Sequence, residues 1–400
     1  MNILILGGDG YLGWPTAMKF SALGHDVTVV DNYFRRHSCV ELDTGMLYPV
    51  PNLVERARLW HELTGKEIKV KIGDLCDKSV IDGLITEEKF DRYDWSVDPK
   101  FTGTPDTVVH YAEQPSAPLS VSNFKYADLT LMNNLQVTNN LIWSIKTYSP
   151  ETHIIKLGTM GEYGTPNIDI EEGWLDVTHN GRTQKFLYPR QASSIYHTTK
   201  VMDTDLLWFA VRTWDLKVTD LMQGPVYGIE TEESLIDPRL NTIFNYDEIF
   251  GTIVNRFITQ AVVGYPLTVY GKGGQTRGYL NIKDTLQCLE MSANEPADQG
   301  ELRIFNQIME TFSVNELAEL TKKVGDSLDL NVEIKPIENP RKEMEDHYYN
   351  PAYQGLVDLG VKPNYLTEEV MKGMFDVVMK YKENIRKDVI FKGITWYAVY

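Results

Sequence analysis

A tyrosine and a lysine stand four residues apart, at Tyr196 and Lys200. On a helix, side chains at this spacing share one face. A phenol has an ordinary pKa of about 10, so it is a poor base at neutral pH, and a neighbouring ammonium favours the phenolate. Such a tyrosine can take a proton from a hydroxyl while hydride leaves the same carbon. The pattern alone is weak, because many helices carry it by chance.

Glycines near the N-terminus indicate nucleotide binding. Gly7, Gly10 and Gly13 follow residues 2–6, an apolar run typical of a buried parallel strand. Their missing side chains let backbone N–H groups approach a pyrophosphate at the start of the next helix. Asp31, about 20 residues further on, would accept hydrogen bonds from ribose hydroxyls. Its charge would repel a 2′-phosphate, so the pattern favours NAD over NADP.

Two arginines leave NADP as an alternative cofactor. Arg35 and Arg36 follow Asp31, and arginine can either accept a 2′-phosphate or stack on adenine. Asp74 follows a third predicted strand at 68–72, where it could cap the adenine or simply serve a turn. The other residues expected to contact NAD, besides Tyr196 and Lys200, are Tyr11, Leu12, Asn32, Leu75, Ala112, Gln114, Asn133 and Val226.

Strand-like and helix-like segments alternate along the first part of the chain, including helical segments at 129–148 and 196–214. This alternation predicts an α/β fold with a Rossmann-type, doubly wound parallel sheet and a smaller mixed α/β lobe at the C-terminus. We expect residues 1–230 to form the NAD-binding domain, with part of 240–300 interleaved, and 231–400 to form mainly the smaller lobe. Residues 33–66 are predicted to be an irregular insertion.

Composition excludes several classes of partner. The 400 residues carry a net charge of −17, which argues against nucleic acid and an anionic membrane. Anionic ligands therefore have to be met by local arginine and lysine. Cys39, Cys76 and Cys288 show no paired spacing, so we expect a reducing compartment, no disulfide and no metal site. Without a basic leader or a bilayer-long apolar run, the chain is expected to be cytoplasmic.

Several features together resemble the extended short-chain dehydrogenase/reductases that act on nucleotide sugars. They are the glycine turn, Asp31, a Thr159 that follows a strand, the Tyr196/Lys200 pair and residues 275–277. Longer segments resemble one branch of that family, the UDP-sulfoquinovose synthases. These segments are 159–170, 179–183, 271–280 and 345–350. The resemblance extends over most of the chain and implies that the lobe at 231–400 binds a nucleotide sugar.

The resemblance also implies a reaction, in which UDP-glucose and sulfite give UDP-6-sulfo-6-deoxyglucose while NAD stays bound. Tyr196 would take the C4 hydroxyl proton as hydride passes to NAD, and Thr159 would position that hydroxyl. Lys200 would lower the tyrosine pKa and hold the nicotinamide ribose. The 4-keto group then acidifies C5–H, water leaves C6, sulfite adds at C6 and the hydride returns to C4.

The sequence does not fix the group that drives water elimination. Related 4,6-dehydratases carry an Asp–Glu pair directly after the threonine, whereas this chain has Met160 and Gly161, and methionine cannot protonate a leaving hydroxide. The nearest replacements are Glu162 and His197, whose free pKa of about 6.5 suits acid or base work. Either side chain could instead be structural, the histidine by packing and the carboxylate by facing solvent or an arginine.

Anionic parts of the substrates need cationic and hydrogen-bonding partners. Arginine pairs bidentately with phosphate, although an arginine is also common on a solvated surface. The residues expected at the diphosphate, uracil and sugar are Asn255, Arg256, Thr268, Tyr270, Gln275, Arg277, Arg341 and Glu343, with Gln223 at the glucose. The candidates for sulfite are Gln114, Ser116 and Arg182. Plant members carry an arginine where this chain has Pro115, which leaves one cofactor or sulfite contact open.

Two other functions are compatible with the same motifs. One is an NAD-dependent nucleotide-sugar 4-epimerase or 4,6-dehydratase, and the other is a non-catalytic NAD-binding scaffold. The intact Thr159, Tyr196 and Lys200 argue against the scaffold. Members of the family pair helices across a two-fold axis, so we expect a homodimer through 129–148 and 196–214. Whether a partner protein delivers sulfite is left open.

Overall fold

The computed structural model describes residues 1–86, 104–339 and 347–391. The strands in these residues are β1 (Asn2–Leu6), β2 (Asp26–Asp31), β3 (Lys69–Ile72), β4 (Thr107–His110), β5 (His153–Thr159), β6 (Trp174–His179), β7 (Arg182–Leu187), β8 (Lys217–Gln223), β9 (Val226–Tyr227), β10 (Leu267–Tyr270), β11 (Thr276–Asn281), β12 (Leu302–Gln307), β13 (Glu310–Ser313) and β14 (Ile334–Ile337).

The α-helices in the same residues are α1 (Gly13–Ala22), α2 (Phe34–Glu41), α3 (Leu53–Thr64), α4 (Lys78–Ile85), α5 (Ala117–Ser120), α6 (Phe124–Tyr148), α7 (Ile195–Trp214), α8 (Ile253–Val262), α9 (Ile282–Asn294), α10 (Val314–Ser327), α11 (Gln354–Asp358) and α12 (Glu368–Lys380). Short 3₁₀ helices cover Met160–Glu162, Ser234–Ile236, Pro238–Leu240, Lys382–Asn384 and Lys387–Val389.

A parallel sheet forms the centre of the described structure, with strand order β12–β8–β5–β4–β1–β2–β3. Leu6 at the end of β1 lies beside Val30 of β2 on one side and His110 of β4 on the other. The chain therefore winds outward in both directions from β1, and a cleft opens beyond the carboxyl ends of β1 and β4. Ligands bind at such a reversal point in doubly wound sheets. This topology confirms the predicted Rossmann-type sheet.

Alternating side chains of β1 bind two helical layers to the sheet. Ile3 and Ile5 belong to a buried cluster with Trp14 of α1, whereas Leu4 and Leu6 belong to a second cluster that includes residues of α6 and α7. Successive residues of a strand face opposite sides, so a strand covered on both sides has to be apolar throughout. The run at 2–6 is apolar for this reason.

The segment after β2 is more regular than predicted, because residues 33–66 contain both α2 and α3. Asn52 and Glu55 form a reciprocal capping box at the start of α3, and Gly65 ends that helix with φ of 70°. Trp60 on the buried face anchors α3 against the sheet cluster. The prediction of an irregular insertion was wrong, since the box and the terminal glycine both signal a helix.

The C-terminal lobe has a core of its own. Phe257 of α8, Leu317 of α10 and Phe375 of α12 lie in one buried cluster with residues of β10 and β11. The strands β10 and β14 pair in parallel, and β11 pairs with β9 in parallel and with β13 in antiparallel register. This arrangement confirms the predicted smaller lobe of mixed α/β structure.

A hairpin of β6 and β7 was not predicted. Its two strands pair with each other in antiparallel register, and the Thr178 and Thr183 hydroxyls lie 2.8 Å apart across it. Most of its side chains from Asp176 to Phe186 are exposed. Separately, none of the helices in the described residues has both the length and the hydropathy needed to cross a bilayer.

Candidate active site

A cavity of about 1000 Å³ lies at the carboxyl ends of the sheet strands and extends to the C-terminal lobe. Most of the predicted site residues line it. They are Gly7, Gly10, Tyr11, Leu12, Gly13, Asp31, Asn32, Arg35, Asp74, Leu75, Ala112, Ser116, Asn133, Thr159, Tyr196, His197, Gln223, Val226, Asn255, Arg256, Tyr270, Gln275 and Arg277. Arg341 and Glu343 fall outside the described residues.

The glycine turn at one end of this cavity fits a dinucleotide. A Cβ at Gly13 would lie 2.0 Å from the carbonyl oxygen of Gly7, so only glycine permits the turn to close. At Gly10 the nearest atom to such a Cβ would be 3.7 Å away, because this position faces the cavity. A side chain at Gly10 would fill the space where a pyrophosphate meets the N-terminus of α1. The turn therefore supplies a cradle for a diphosphate.

Asp31 lies at the end of β2 with its carboxylate directed at backbone donors. Its two oxygens accept from the N–H of Asp9 at 2.8 Å and of Tyr33 at 2.6 Å. Burial, followed by the nearby Asp9 carboxylate, raises the pKa of Asp31 to about 6. Each carboxylate oxygen keeps a further lone pair, so Asp31 can still accept from ribose hydroxyls. Asp74 lines the same end of the cavity and also accepts from the N–H of Cys76 at 2.9 Å, so it serves a turn there.

Arg36 is not brought to the cavity, although it was predicted to contact the cofactor. Its guanidinium donates to both Asp9 oxygens, at 2.7 and 2.9 Å, and to the carbonyls of Val50 and Pro51. The buried Arg56 donates to the same carboxylate at 2.7 Å. Asp9 lies within the glycine turn, so the two arginines stabilise that turn from the side that faces away from the cavity. Arg35 does line the cavity, with its guanidinium 4.2 Å from the centre of the Phe250 ring.

Helix α7 presents Tyr196 to the cavity. Ser194 caps the helix by accepting from the N–H of His197 at 3.1 Å, and the N–H of Tyr196 donates to Ser120 at 3.1 Å. Lys200, one turn on, has its Nζ 6.0 Å from the centre of the Tyr196 ring, which confirms the predicted shared face. The first turn of α7 is therefore fixed at its start and from the side.

Lys200 is buried behind the cavity wall and forms an ion pair that was not predicted. Its Nζ lies 2.8 Å from Oε1 of Glu113 and also donates to the carbonyl of Leu157. Glu113 follows β4, and its side chain is almost completely buried although it reaches the cavity wall. A carboxylate at this distance offsets the charge of the ammonium.

The surroundings of Tyr196 raise its pKa above the ordinary value. The main cause is loss of solvent, followed by the carboxylates of Glu113 and Glu162, while Lys156 lowers the pKa. Loss of solvent and these carboxylates thus outweigh the lowering that was expected from Lys200. In the protein alone Tyr196 is therefore a phenol.

Thr159 ends β5 at the cavity wall. Its Oγ1 accepts from the N–H of Gly161 at 3.1 Å and caps the 3₁₀ turn Met160–Glu162. The hydroxyl hydrogen of Thr159 thus remains available to donate to a ligand oxygen. Thr159 and Tyr196 both line the cavity, as the predicted pair at a sugar hydroxyl requires.

The His197 ring lies against Gly161. A Cβ at Gly161 would sit 2.4 Å from both Cδ2 and Nε2 of His197, so the imidazole occupies space that any larger residue would take. On the other edge of the ring, Nδ1 is within 3.3 Å of the Ser193 hydroxyl and 3.1 Å of the Ser194 hydroxyl. The two serines orient the ring, and His197 faces the cavity next to Tyr196.

Glu162 points away from the cavity into a buried ionic network. Its Oε1 lies 3.2 Å from Nζ of Lys156, and that ammonium lies 3.4 Å from Asp220. Oε1 also accepts from the N–H of Thr159 at 3.3 Å, and Arg190 approaches Oε2 at 3.7 Å. The structure thus places Glu162 beneath the Thr159 turn, in the arginine-facing arrangement that was the alternative to a catalytic role.

Three further predicted residues do not reach the cavity lining. The Gln114 side chain is fully buried and donates to Thr130 at 2.8 Å and to the carbonyl of Ser116. The hydroxyl of Thr268 accepts a hydrogen bond from Nε2 of Gln260 at 2.9 Å. Arg182 is exposed on the β6–β7 hairpin. Gln114 and Thr268 therefore support backbone around the site, and Arg182 lies outside it.

The C-terminal end of the cavity carries polar atoms suited to a charged ligand. Arg256 donates to the hydroxyl of Tyr270 at 3.1 Å and lies 3.4 Å from Glu248. Asn255 Oδ1, Arg256 Nε and Gln275 Oε1 are buried without a hydrogen-bond partner in the described residues. Orphaned groups of this kind cost free energy unless a ligand or water satisfies them. This end of the cavity is therefore built to receive polar groups.

Arg277 lines the same end and is oriented by a histidine. Its Nη1 donates to Nε2 of His347 at 2.9 Å and to the carbonyl of Thr276 at 2.8 Å. The hydroxyl of Tyr349 accepts from the N–H of Gly278 at 3.2 Å, which ties the chain after residue 346 to β11. Arg277 is thus a fixed cation at the wall of the cavity.

Some lining residues escaped the sequence analysis. They are Glu113, Thr165, Gln191, Ser193, Glu248, Phe250, Tyr279 and Tyr349. Glu113 follows a strand that ends at the sheet edge, which is a readable signal for a site residue. The others lie on loops and on the second lobe, whose approach to the sheet cannot be read from local pattern.

The chain matches the family described as "NAD dependent epimerase/dehydratase family" over residues 3–306. Because the match covers well over half of its length, the chain belongs to that family. The glycine cradle and the open lone pairs of Asp31 fit the cofactor that the family description names. NAD is thus the cofactor, as predicted.

Within that family the chain groups with the UDP-sulfoquinovose synthases. It is 46% identical over 395 residues to "UDP-sulfoquinovose synthase, chloroplastic" of Spinacia oleracea, covering 99% of this chain and 79% of the spinach protein. It is 41% identical over 399 residues to "UDP-sulfoquinovose synthase" of Sulfolobus acidocaldarius, covering 99% and 98% of the two chains. The resemblance predicted from the sequence is confirmed.

Solved structures share the fold at lower identity. UDP-glucose 4-epimerase of Thermotoga maritima, crystallised with UDP-glucose, aligns with a TM-score of 0.68 and 21% identity over 95% of this chain and 99% of the epimerase. UDP-glucose 4-epimerase of Thermus thermophilus, in complex with NAD, aligns with a TM-score of 0.64 and 20% identity over 94% and 99% of the two chains. At this identity the likeness concerns the fold.

Proposed function

We propose that this protein is a UDP-sulfoquinovose synthase that converts UDP-glucose and sulfite into UDP-6-sulfo-6-deoxyglucose and water. The observation that carries the proposal is the placement of His197 over Gly161, beside Tyr196 and Thr159. It gives a redox site an additional acid or base, which a simple 4-epimerase would not need. The identities of 46% and 41% to proteins of that name support it.

The cofactor would be held along the sheet edge. The glycine turn and the N-terminus of α1 would receive its pyrophosphate, Asp31 its adenosine ribose, and Val226 would line the nicotinamide. Bound NAD supplies a reversible hydride acceptor for the sugar C4. Lys200 is proposed to hold the nicotinamide ribose; its ammonium lies behind the cavity lining, 6.0 Å from the centre of the Tyr196 ring.

Tyr196 and Thr159 would act on the C4 hydroxyl. Tyr196 takes the proton from that hydroxyl when C4 is oxidised and gives it back when C4 is reduced at the end. Thr159 donates its free hydroxyl hydrogen to the same oxygen and holds it in place. Because the positive charge of the oxidised cofactor favours the phenolate, Tyr196 becomes a stronger acid in the loaded site than in the protein alone.

His197 is proposed as the acid for the departing C6 hydroxyl. The 4-keto group acidifies C5–H, so that a base takes the C5 proton, the C6–O bond breaks, and His197 supplies the proton that turns the leaving hydroxide into water. The sulfur lone pair of sulfite then forms a bond to C6, the base returns its proton to C5, and His197 regains its proton from bisulfite. Ser193 and Ser194 hold the ring so that its other edge meets the substrate.

Sulfite has to reach C6 beside His197. Of the predicted candidates, Ser116 lines the cavity, whereas Gln114 and Arg182 do not. The cavity lining also includes Thr165, Gln191 and Ser193, the last in contact with His197, and their polar side chains can donate to a small anion. These residues, with Ser116, are the proposed sulfite contacts.

The nucleotide end of UDP-glucose would bind the C-terminal lobe. Arg256 and Arg277 are placed to pair with the diphosphate, and Asn255 and Gln275 to satisfy polar atoms of the nucleotide. Gln223, held by Gln307 at 2.8 Å, is proposed to contact the glucose. On this scheme residues 1–230, with part of 240–300, hold NAD and 231–400 hold mainly the nucleotide sugar.

A homodimer through α6 and α7 is part of the proposal. Met132 and Trp143 on α6, and Met202 and Phe209 on α7, are exposed apolar side chains on the helices predicted to pair. Pairing with a second copy would remove this surface from water. The three cysteines are unpaired, which agrees with a reducing compartment such as the cytoplasm.

Mass spectrometry of the product distinguishes the proposal from its rivals. The native protein, incubated with UDP-glucose, NAD and sulfite, should yield the sulfonated sugar nucleotide. UDP-galactose as the sole product would overturn the proposal in favour of a 4-epimerase. NAD binding without any reduced-nicotinamide absorbance after UDP-glucose is added would favour a non-catalytic protein.

A further inference from the structure

Glu113 is a buried carboxylate for which the proposed reaction has no assigned role. Its Oε1 lies 2.8 Å from Nζ of Lys200 and 3.6 Å from Nε2 of His110, and only 2% of its side chain is exposed. Burial of a carboxylate is costly unless a partner compensates for the lost solvent. A site that needed only the ammonium of Lys200 would avoid this cost, so the pairing calls for a functional reason.

The histidine beside Glu113 does not share its charge. The pKa of His110 is lowered to about 4, mainly by burial; the Glu113 carboxylate opposes this shift, and the ammonium groups of Lys200 and Lys156 add to it. His110 is therefore neutral at physiological pH. This leaves Lys200 as the cationic partner of Glu113, and the pair is close to neutral as a unit.

Other ionisable groups face Tyr196 from the surrounding elements. Glu162 comes from the 3₁₀ turn, Lys156 from β5 and Asp203 from α7. His197 is the next residue along α7, and Arg35 faces the tyrosine from α2. Glu162 is matched by Lys156 at 3.2 Å. Glu113 differs from Glu162 because it both lines the cavity and binds the lysine one turn below the tyrosine.

We propose that Glu113 is a positioning residue that holds and neutralises Lys200, and through it sets the strength of Tyr196 as an acid and a base. In the proposed function, on which this inference rests, the Tyr196 oxygen takes up a proton and gives it back within one turnover. A base that is too weak slows oxidation, and an acid that is too weak slows the final reduction, so an intermediate strength is best. An unopposed ammonium would make the phenolate too stable to take part in the return step.

The test is the titration of Tyr196 itself, followed by NMR of protein carrying tyrosine labelled with ¹³C at Cζ. The Tyr196 signal is assigned from its disappearance in Tyr196→Phe. In Glu113→Gln, which keeps the size and removes the charge, the midpoint should fall by about one pH unit or more. In Glu113→Asp, which keeps the charge, the midpoint should stay closer to the native value.

A matched control is Glu310→Gln. Glu310 is a half-buried carboxylate that accepts from the Tyr227 hydroxyl at 2.5 Å and does not line the cavity. This substitution should leave the Tyr196 midpoint unchanged, although it also removes a partly buried charge. A midpoint that is the same in folded Glu113→Gln as in the native protein would overturn the inference. If Glu113→Gln does not fold, Lys200→Met takes its place: it leaves the Glu113 carboxylate uncompensated, so the Tyr196 midpoint should rise, and a native midpoint in folded Lys200→Met would overturn the inference.

The pH dependence of turnover is a second measurement, and it separates this inference from the proposed function. The acid limb of the pH profile of kcat/KM should move to lower pH in Glu113→Gln, with a smaller change in KM for UDP-glucose. The NMR titration needs neither UDP-glucose nor sulfite. Suppose that the native protein forms no sulfonated product but the Tyr196 midpoint is lower in Glu113→Gln than in the native protein. The proposed function then fails, while the role of Glu113 towards Tyr196 stands.

Discussion

The imidazole of His197 fills the space that a side chain at Gly161 would occupy. A Cβ at Gly161 would stand 2.4 Å from Nε2, and the Ser193 and Ser194 hydroxyls hold the opposite edge of the ring. Gly161 therefore has two consequences: this position carries no acidic side chain, and its small size leaves room for a histidine from the neighbouring helix. In the proposed reaction, the acid that related 4,6-dehydratases carry after the threonine is supplied by His197 of α7.

Substitution of Gly161 tests this relationship. In Gly161→Ala the new methyl group would displace the His197 ring, so kcat for sulfonation should fall by about tenfold or more. The backbone at Gly161 needs no positive φ, so the Tm should change by only a few degrees. A suitable control is Gly373→Ala on α12, where a Cβ would meet no atom within 4 Å. Native kcat in Gly161→Ala would show that the ring position is unimportant.

Removal of the imidazole should separate the redox step from elimination. In His197→Gln the sulfonated product should form about 100-fold more slowly, because a general acid contributes on the order of 10²–10⁴ in rate. The absorbance of reduced nicotinamide after addition of UDP-glucose should persist, since Tyr196 and Thr159 are intact. Stopped-flow absorbance and mass spectrometry measure the two steps. Sulfonation at the native rate would remove His197 from the chemistry.

The raised pKa of Asp31 predicts a pH dependence of NAD binding. Burial lifts the pKa to about 6, so ionising this carboxylate costs folding stability as the pH rises from about 4 through 6. Ribose hydroxyls donate to the ionised form and return part of that stability. NAD affinity should therefore weaken below pH 6, by up to about tenfold at pH 5 relative to pH 7.5. Calorimetry on protein stripped of nucleotide measures the trend.

Asp31→Asn is the comparison for this titration. The amide cannot ionise, so the variant should bind NAD more weakly at pH 7.5 and show little change between pH 7.5 and pH 5. An equally steep loss of affinity in the variant would assign the pH dependence to another group.

The adjacent arginines should behave differently when each is truncated. Arg36→Ala removes the bidentate partner of Asp9 and leaves Arg56 as its remaining cation, so the Tm should fall by several degrees and NAD binding should weaken with it. Arg35→Ala acts at the cavity wall and should weaken ligand binding with little change in Tm. Thermal unfolding with and without NAD compares the two. A Tm loss in Arg35→Ala alone would contradict this division.

Much of the sheet could be predicted because local pattern decides it. The run at 2–6, the strands before Asp31 and Thr159, and the helix of Tyr196 were all recognised, since buried parallel strands are apolar throughout and the helical spacing is regular. The β6–β7 hairpin was missed because exposed strands lack an apolar signature. Helices α2 and α3 were missed because the tyrosines, prolines and charged residues of 33–66 obscure the capping box that starts α3.

The site was predictable where a motif carries its own geometry. Gly7, Gly10 and Gly13 line the cavity, but Arg36, although only five residues past Asp31, turns back to Asp9. Sequence cannot show which of two adjacent arginines faces a ligand, because that depends on a helix and a turn meeting in space. The pairing of Glu113 with Lys200 likewise joins residues 87 positions apart.

The exposed end of the β6–β7 hairpin is a suitable place for labelling or for inserting a peptide. Asn180 and Gly181 are exposed, a Cβ at Gly181 would meet no atom within 4 Å, and neither residue lines the cavity. Of the cysteines, Cys39 and Cys288 are buried and Cys76 is half-buried. A thiol engineered at the exposed His179 or Arg182, which avoids the positive φ of Asn180 and Gly181, would therefore react first with a maleimide dye, and a short epitope inserted at the turn should be displayed while the enzyme keeps its fold.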